Sequence, residues 1–127
     1  FRLHSQCPRY VQDCKGPNTE ARTVLSAKQL GRILVGTTRA IGEGTREEGH
    51  PAVHQWNYCV GNSDFYMTVD HGEPIAHKAG EWSFIPAGPD HDLVAEPGKE
   101  VFYVWYEHFA REKDFMVKLL PGQKLPE

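Results

Sequence analysis

Gly80-Glu81-Trp82-Ser83-Phe84-Ile85-Pro86-Ala87-Gly88-Pro89-Asp90-His91 is a short apolar run enclosed by turn formers and ending on a histidine. Trp82, Phe84 and Ile85 are the aromatic and β-branched types that fill strands, and the Gly, Pro and Asp residues around them stop the strand at both ends. An earlier stretch belongs with it: Gly42-Glu43-Gly44-Thr45-Arg46-Glu47-Glu48-Gly49-His50-Pro51-Ala52-Val53-His54, which closes after residues 55–60 on Gly61. Between them they hold His50, His54 and His91, three of the seven histidines. Side chains on a strand alternate faces, so one wall of a barrel can aim several N and O donors at a single point.

The rest of the chain reads the same way. Strand-like runs cover Arg32 to Ile41, Val53 to Val60, Phe65 to Asp70, Pro74 to Lys78, His91 to Ala95 and Val101 to Phe109, separated by Gly, Asn, Asp and Pro clusters. That is the pattern of an all-β sandwich or barrel. Asp70-His71-Gly72 and Glu96-Pro97-Gly98-Lys99 are tight turns, each expected between strands that pair as neighbours. Residues 1–31 read as an N-terminal arm lying across the domain, with one helical turn over Ser26 to Leu30 that Ser26 caps and Gly31 stops. Residues 32–120 form the β domain, with Arg111 to Leu120 a last strand or short helix, and 121–127 a loose tail.

At 127 residues the chain is one domain, and 39% hydrophobic with 24% charged residues is ordinary for a soluble globular protein. A net charge of −3 without a basic run makes nucleic acid and anionic membrane poor partners. No apolar run approaches the length of a membrane span, and no targeting segment is evident. The compartment stays open, with the cytoplasm as the default. Cys7 and Cys14 are close enough in sequence to close a small disulfide loop or to remain free thiols, and Cys59 reads as a small buried hydrophobe.

The two stretches resemble the paired motifs of the cupin superfamily. Gly80, Pro86, Gly88 and His91 match the second motif at its fixed positions, with Ala95 where the family has Asn. Gly42, Glu48, His50, His54 and Gly61 meet the spacing of the first, with Glu48 at a His position and His54 at the Glu position. Eighteen residues, Asn62 to Ala79, separate the motifs, a usual cupin spacing, and the likeness covers about Ile33 to Phe109. The resemblance implies a double-stranded β-helix, a jelly-roll barrel, with Glu48, His50, His54 and His91 around one divalent metal and commonly a homodimer. Three imidazoles and a carboxylate suit iron(II), manganese, nickel, copper or zinc, and ligand type alone does not choose among them; iron(II) is favoured together with oxygen chemistry. His4, His71, His77 and His108 are expected at the surface or as hydrogen-bonded filler.

Glu48 and His50, two apart on a strand, are expected to share the inward face, and Glu47 to point out into solvent. If His54 points inward, Trp56, Tyr58 and Val60 share its side and Gln55, Asn57 and Cys59 face away. Tyr58 is then either a catalytic acid or oxyanion donor, or an aromatic core residue, and Glu48 either a ligand or a catalytic base. The last apolar strand is expected to pack one face inside the barrel and the other against the arm or a second subunit. Four protein donors on an octahedral ion leave two sites open for a small oxygen-bearing substrate. The expected function is a metal-dependent enzyme, a dioxygenase before a Lewis-acid isomerase, lyase or cyclase. The competing class is a module that binds a sugar or other small molecule without turnover.

Overall fold

The computed structural model describes residues 2–26, 29, 31–49 and 53–109. Among them, a 3₁₀ turn at His4–Gln6 precedes ten strands: β1 (Arg9–Tyr10), β2 (Glu20–Leu25), β3 (Ile33–Ile41), β4 (Gly44–Glu47), β5 (Val53–Cys59), β6 (Asp64–Val69), β7 (Ile75–Lys78), β8 (Trp82–Ile85), β9 (His91–Val94) and β10 (Glu100–Phe109). They build a six-stranded sheet in the order β1-β2-β3-β10-β5-β8 and a four-stranded sheet in the order β4-β9-β6-β7, antiparallel throughout. This is the jelly-roll barrel.

Both sheets turn one face inward. The core joins Leu34, Cys59, Val101, Tyr103 and Trp105 of the larger sheet to Phe65, Met67 and Leu93 of the smaller. β10, between β3 and β5, shows why its sequence is apolar on both faces. Val101, Tyr103, Trp105 and Phe109 point into the core. On the other face the arm covers Phe102, with the His4 ring 5.9 Å from it, while Tyr106 stays partly exposed beside Trp56. Trp105 can cross β3 only because position 36 is glycine: a Cβ there would overlap the Trp105 ring and the Arg22 carbonyl.

Two sequence expectations change and one holds. The arm is less an overlay than part of the sheet, since β1 pairs with β2 and β2 with β3, adding two strands that its turn-rich composition hid. Asp70-His71-Gly72 does join neighbours, β6 and β7, through two left-handed residues (φ 52° and 55°). The Glu96 to Lys99 turn does not: it leads from β9 in the small sheet to β10 in the large one, and so carries the chain between layers. The thiols of Cys7, Cys14 and Cys59 are all free, and burial pushes the Cys59 thiol up to about 11. The remainder of the turn at 26–30 and the segments expected over 111–120 and 121–127 lie outside the described residues.

Candidate functional site

β4 enters the barrel tightly against β9. Gly44 opens it, and a Cβ there would collide with the Leu93 carbonyl. Thr45 then points inward and is fully buried, Arg46 points out to pair with Asp92 at 2.8 Å, and Glu47 points in with its side chain only 9% exposed. Across the ladder from Glu47 stands His91, 2% exposed. Its Nε2 lies 3.5 Å from Glu47 Oε2, and its Nδ1 3.2 Å from the Pro89 carbonyl, which orients the ring. The other Glu47 oxygen accepts from Lys15 Nζ at 3.0 Å and from the Thr45 hydroxyl at 2.9 Å. Lys15 reaches this point because residues 14–16 run beside β4: Arg46 N–H donates to the Cys14 carbonyl and Gly16 N–H to the Gly44 carbonyl, each at 2.9 Å. An ammonium, a carboxylate and an imidazole thus sit in a row, all three side chains under 10% exposed.

The facing wall is polar as well. Burial, then the charge of Glu47, pushes the Tyr103 phenol well above its ordinary value, and burial with the charges of Glu107 and Glu47 does the same to Tyr10. Both phenols therefore stay protonated at neutral pH. Glu47 also raises the Cys14 thiol, after burial. Gln55 and Asn57 face inward from β5, almost fully buried.

No family profile matches the chain, and no curated protein matches it in sequence. Solved structures do match. A predicted oxalate decarboxylase from Thermotoga maritima superposes with a TM-score of 0.72 at 11% identity, over 84% of this chain and 96% of that one. An RmlC-like cupin from Shewanella frigidimarina gives 0.67 at 18%, over 89% and 93%. The chain has the cupin fold. The polyketide cyclase RemF from Streptomyces resistomycificus is a further neighbour, with a TM-score of 0.70 at 16% identity over 85% of this chain and 78% of that one.

Within the cupin barrel the expected ligands do not assemble as the motifs suggested. His91 is inside. His50 lies outside the described residues. Glu48 is exposed, because the buried Thr45 fixes the inward phase of β4 and puts Glu47, not Glu48, on it. His54, Trp56 and Tyr58 are on the outer face of β5, while Gln55, Asn57 and Cys59 point in, the reverse of the expected phase. His54 Nδ1 accepts from the Ala87 N–H at 3.1 Å and its ring stacks on Phe84, and Tyr58 packs against Trp82 with ring centroids 4.7 Å apart. Neither Glu48 nor Tyr58 is therefore beside His91 to act in catalysis there.

Among the described residues no three His, Cys, Asp or Glu side chains come together to hold a metal. The inward donors there are the His91 imidazole, the Glu47 carboxylate, paired with an ammonium at 3.0 Å, and the buried amide oxygen of Gln55, which has no hydrogen-bond partner among the described residues. Of the ligands expected around iron, manganese, nickel, copper or zinc, this set holds His91 alone, with His50 outside the described residues. It does suit proton transfer: a carboxylate and an imidazole face each other in a water-poor interior, with neutral phenols nearby. Lys15 was not read from the sequence, and Glu47 was read as solvated on the outer face, whereas its side chain is inside. Lys15 lies in a turn-rich arm with no periodicity to mark it, whereas Glu47 was open to the alternation rule had Thr45, not His50, anchored it.

Proposed function

We propose that this chain is an enzyme that binds a small oxygen-bearing organic molecule inside the barrel and moves a proton on it, as an isomerase, lyase or cyclase does. One observation carries the reading: the buried row Lys15–Glu47–His91, with side-chain exposures of 5%, 9% and 1%. The Lys15 ammonium pairs with one Glu47 oxygen at 3.0 Å, and the other Glu47 oxygen faces the His91 ring at 3.5 Å. His91 and Glu47 then take a proton from a carbon next to a carbonyl and return it elsewhere, while the Tyr103 phenol supports the enolate oxygen. Dioxygenation, the other chemistry the motifs suggested, would draw on Glu48 and His54, whose side chains are turned away from His91, and is the less favoured reading. A neighbour described as a polyketide cyclase and another as a predicted oxalate decarboxylase are consistent with varied small-molecule chemistry on this fold, which by itself assigns none.

The test is a panel of diketones, hydroxy ketones and phenolic acids incubated with the protein in D2O, followed by NMR for deuterium uptake, with oxygen consumption and bound metal measured in parallel. Deuterium should enter next to a carbonyl without oxygen uptake, and Glu47→Gln or His91→Gln should slow it by about 10²–10⁴-fold, the usual weight of general acid–base catalysis. Oxygen consumption that survives Glu47→Gln would replace this reading with the dioxygenase, and binding without turnover would make the protein a binding module.

A further inference from the structure

β9 lies between β4 and β6, and its first residue, His91, is paired in register with Glu47 on one side and Val69 on the other. Asp90, one residue earlier, stands where both ladders have ended. Its carboxylate takes over from them: Oδ1 accepts the Gly49 N–H at 2.8 Å, two residues past Glu47, and Oδ2 faces His71 Nε2 at 3.1 Å, two residues past Val69. Its backbone carbonyl accepts the Asp70 N–H at 2.8 Å. Gly49 is also laid so closely along this segment that a Cβ on it would overlap the Gly88 carbonyl. One residue thus bolts together the ends of three strands.

The bolt bears on the chemistry through a single peptide group. Asp90 supplies its nitrogen and Pro89 its carbonyl, and that carbonyl oxygen lies 3.2 Å from His91 Nδ1. A carbonyl can only accept, so in the neutral ring this contact puts the proton on Nδ1 and leaves the Nε2 lone pair facing Glu47 Oε2 at 3.5 Å. Because Asp90 is anchored at three points, the peptide is not free to turn. We infer that Asp90 is a positioning residue, whose carboxylate holds that peptide and the end of β4 so that His91 keeps one tautomer and its place beside Glu47. The inference rests on the proposed proton transfer and adds the group that keeps its two partners aligned. Asp90 acts through them: its side chain is 46% exposed and its oxygens are taken up by Gly49 and His71, away from the interior where the small molecule would bind.

The experiment compares the ¹⁵N-labelled parent chain with Asp90→Ala and with Asp90→Asn, which keeps an oxygen for the Gly49 N–H and loses only the charge opposite His71. NMR of the His91 ring nitrogens should show the Nδ1–H tautomer in the parent and in Asp90→Asn, and a mixture of tautomers in Asp90→Ala. Deuterium entry into whichever panel compound the parent turns over should fall about 100-fold in kcat in Asp90→Ala, the cost of a misplacement of about 1 Å, with KM little changed. Most of that loss should return in Asp90→Asn. A merely structural role would lower the melting temperature but leave kcat and the ring signals of the folded protein as they are. Parent-like ring signals or a parent-like kcat in Asp90→Ala would therefore overturn the positioning role, and so would Asp90→Asn behaving as Asp90→Ala does. Should Asp90→Ala not fold, Asp90→Ser, too short to reach Gly49 and His71, takes its place. A parent that turns over no compound removes the proton-transfer reading, and the ring signals then decide by themselves whether Asp90 positions His91.

Discussion

Lys15 and Glu47 carry opposite charges where neither side chain is more than 9% exposed, and their 3.0 Å contact stands in for the water each has lost. Two such charges together need not stabilise a fold more than an apolar pair would, but removing one strands the other. Lys15→Met should therefore lower the unfolding free energy by about 3–5 kcal/mol at neutral pH, and a Lys15→Met/Glu47→Leu double variant should recover much of that loss. Urea denaturation measures both. A single variant within about 0.5 kcal/mol of the parent would mean that Glu47 is solvated and the row is not the interior feature described here.

Gly36 belongs to the scale of elements, because it governs how β3 and β10 approach. Gly36→Ala should destabilise the protein by at least about 2 kcal/mol, since the new methyl meets the Trp105 ring and a carbonyl rather than a flexible side-chain end. An unchanged melting temperature would show that the two strands are looser than the contact implies. Asp64, at the head of β6, ties that strand to Lys78 on β7 at 3.5 Å and to Lys99, ahead of β10, at 3.1 Å. The hydrogen bond from Lys99 is the main cause holding its carboxyl below the ordinary 3.8. A carboxyl with a depressed folded-state value stabilises the fold above its unfolded value and loses that contribution as the pH falls through the folded one. Asp64→Asn should thus melt below the parent at pH 7, with the gap closing under acid, once both states hold the proton. A gap that persists or widens in acid would contradict the ion pair as its source.

At the scale of the whole molecule, the outer face of the large sheet carries Trp56, Trp82, Phe84 and Tyr106 at 36%, 68%, 48% and 37% exposure. Trp56 touches two of the others, with ring centroids 5.0 Å from Phe84 in a tilted contact and 5.6 Å from Tyr106 edge to face. At roughly 200 Å² per aromatic side chain, their exposed parts come to about 400 Å², near half of the ~800 Å² that one partner contributes to a standard interface. β8 is also an edge strand, and its Trp-Ser-Phe-Ile run carries no charge to keep another strand away. A second copy of this chain, β8 against β8, is the occupant that self-complementarity favours, which would make the protein a homodimer. Sedimentation at tens of micromolar should give the dimer mass, and Trp82→Glu/Phe84→Glu the monomer mass with an unchanged circular dichroism spectrum. A monomer in the parent protein would turn this face over to another partner.

The sequence by itself determined the β class and the bounds of most of the later strands, because Gly, Pro, Asn and Asp interrupt its apolar runs wherever the chain must turn. It also placed His91 at the head of a buried strand. Only the tertiary structure decided which way β4 and β5 present their side chains, and it turned Glu48, His54 and Tyr58 outward and Glu47, Gln55 and Asn57 inward. Alternation fixes which residues share a face but not which face is the core, and on β5 the outward residues are as apolar as the inward ones, so phase came from the ladders with β8 and β10. Lys15 was beyond reach for another reason: its partner is 32 residues away, and only an arm folded along β4 brings an ammonium to that carboxylate.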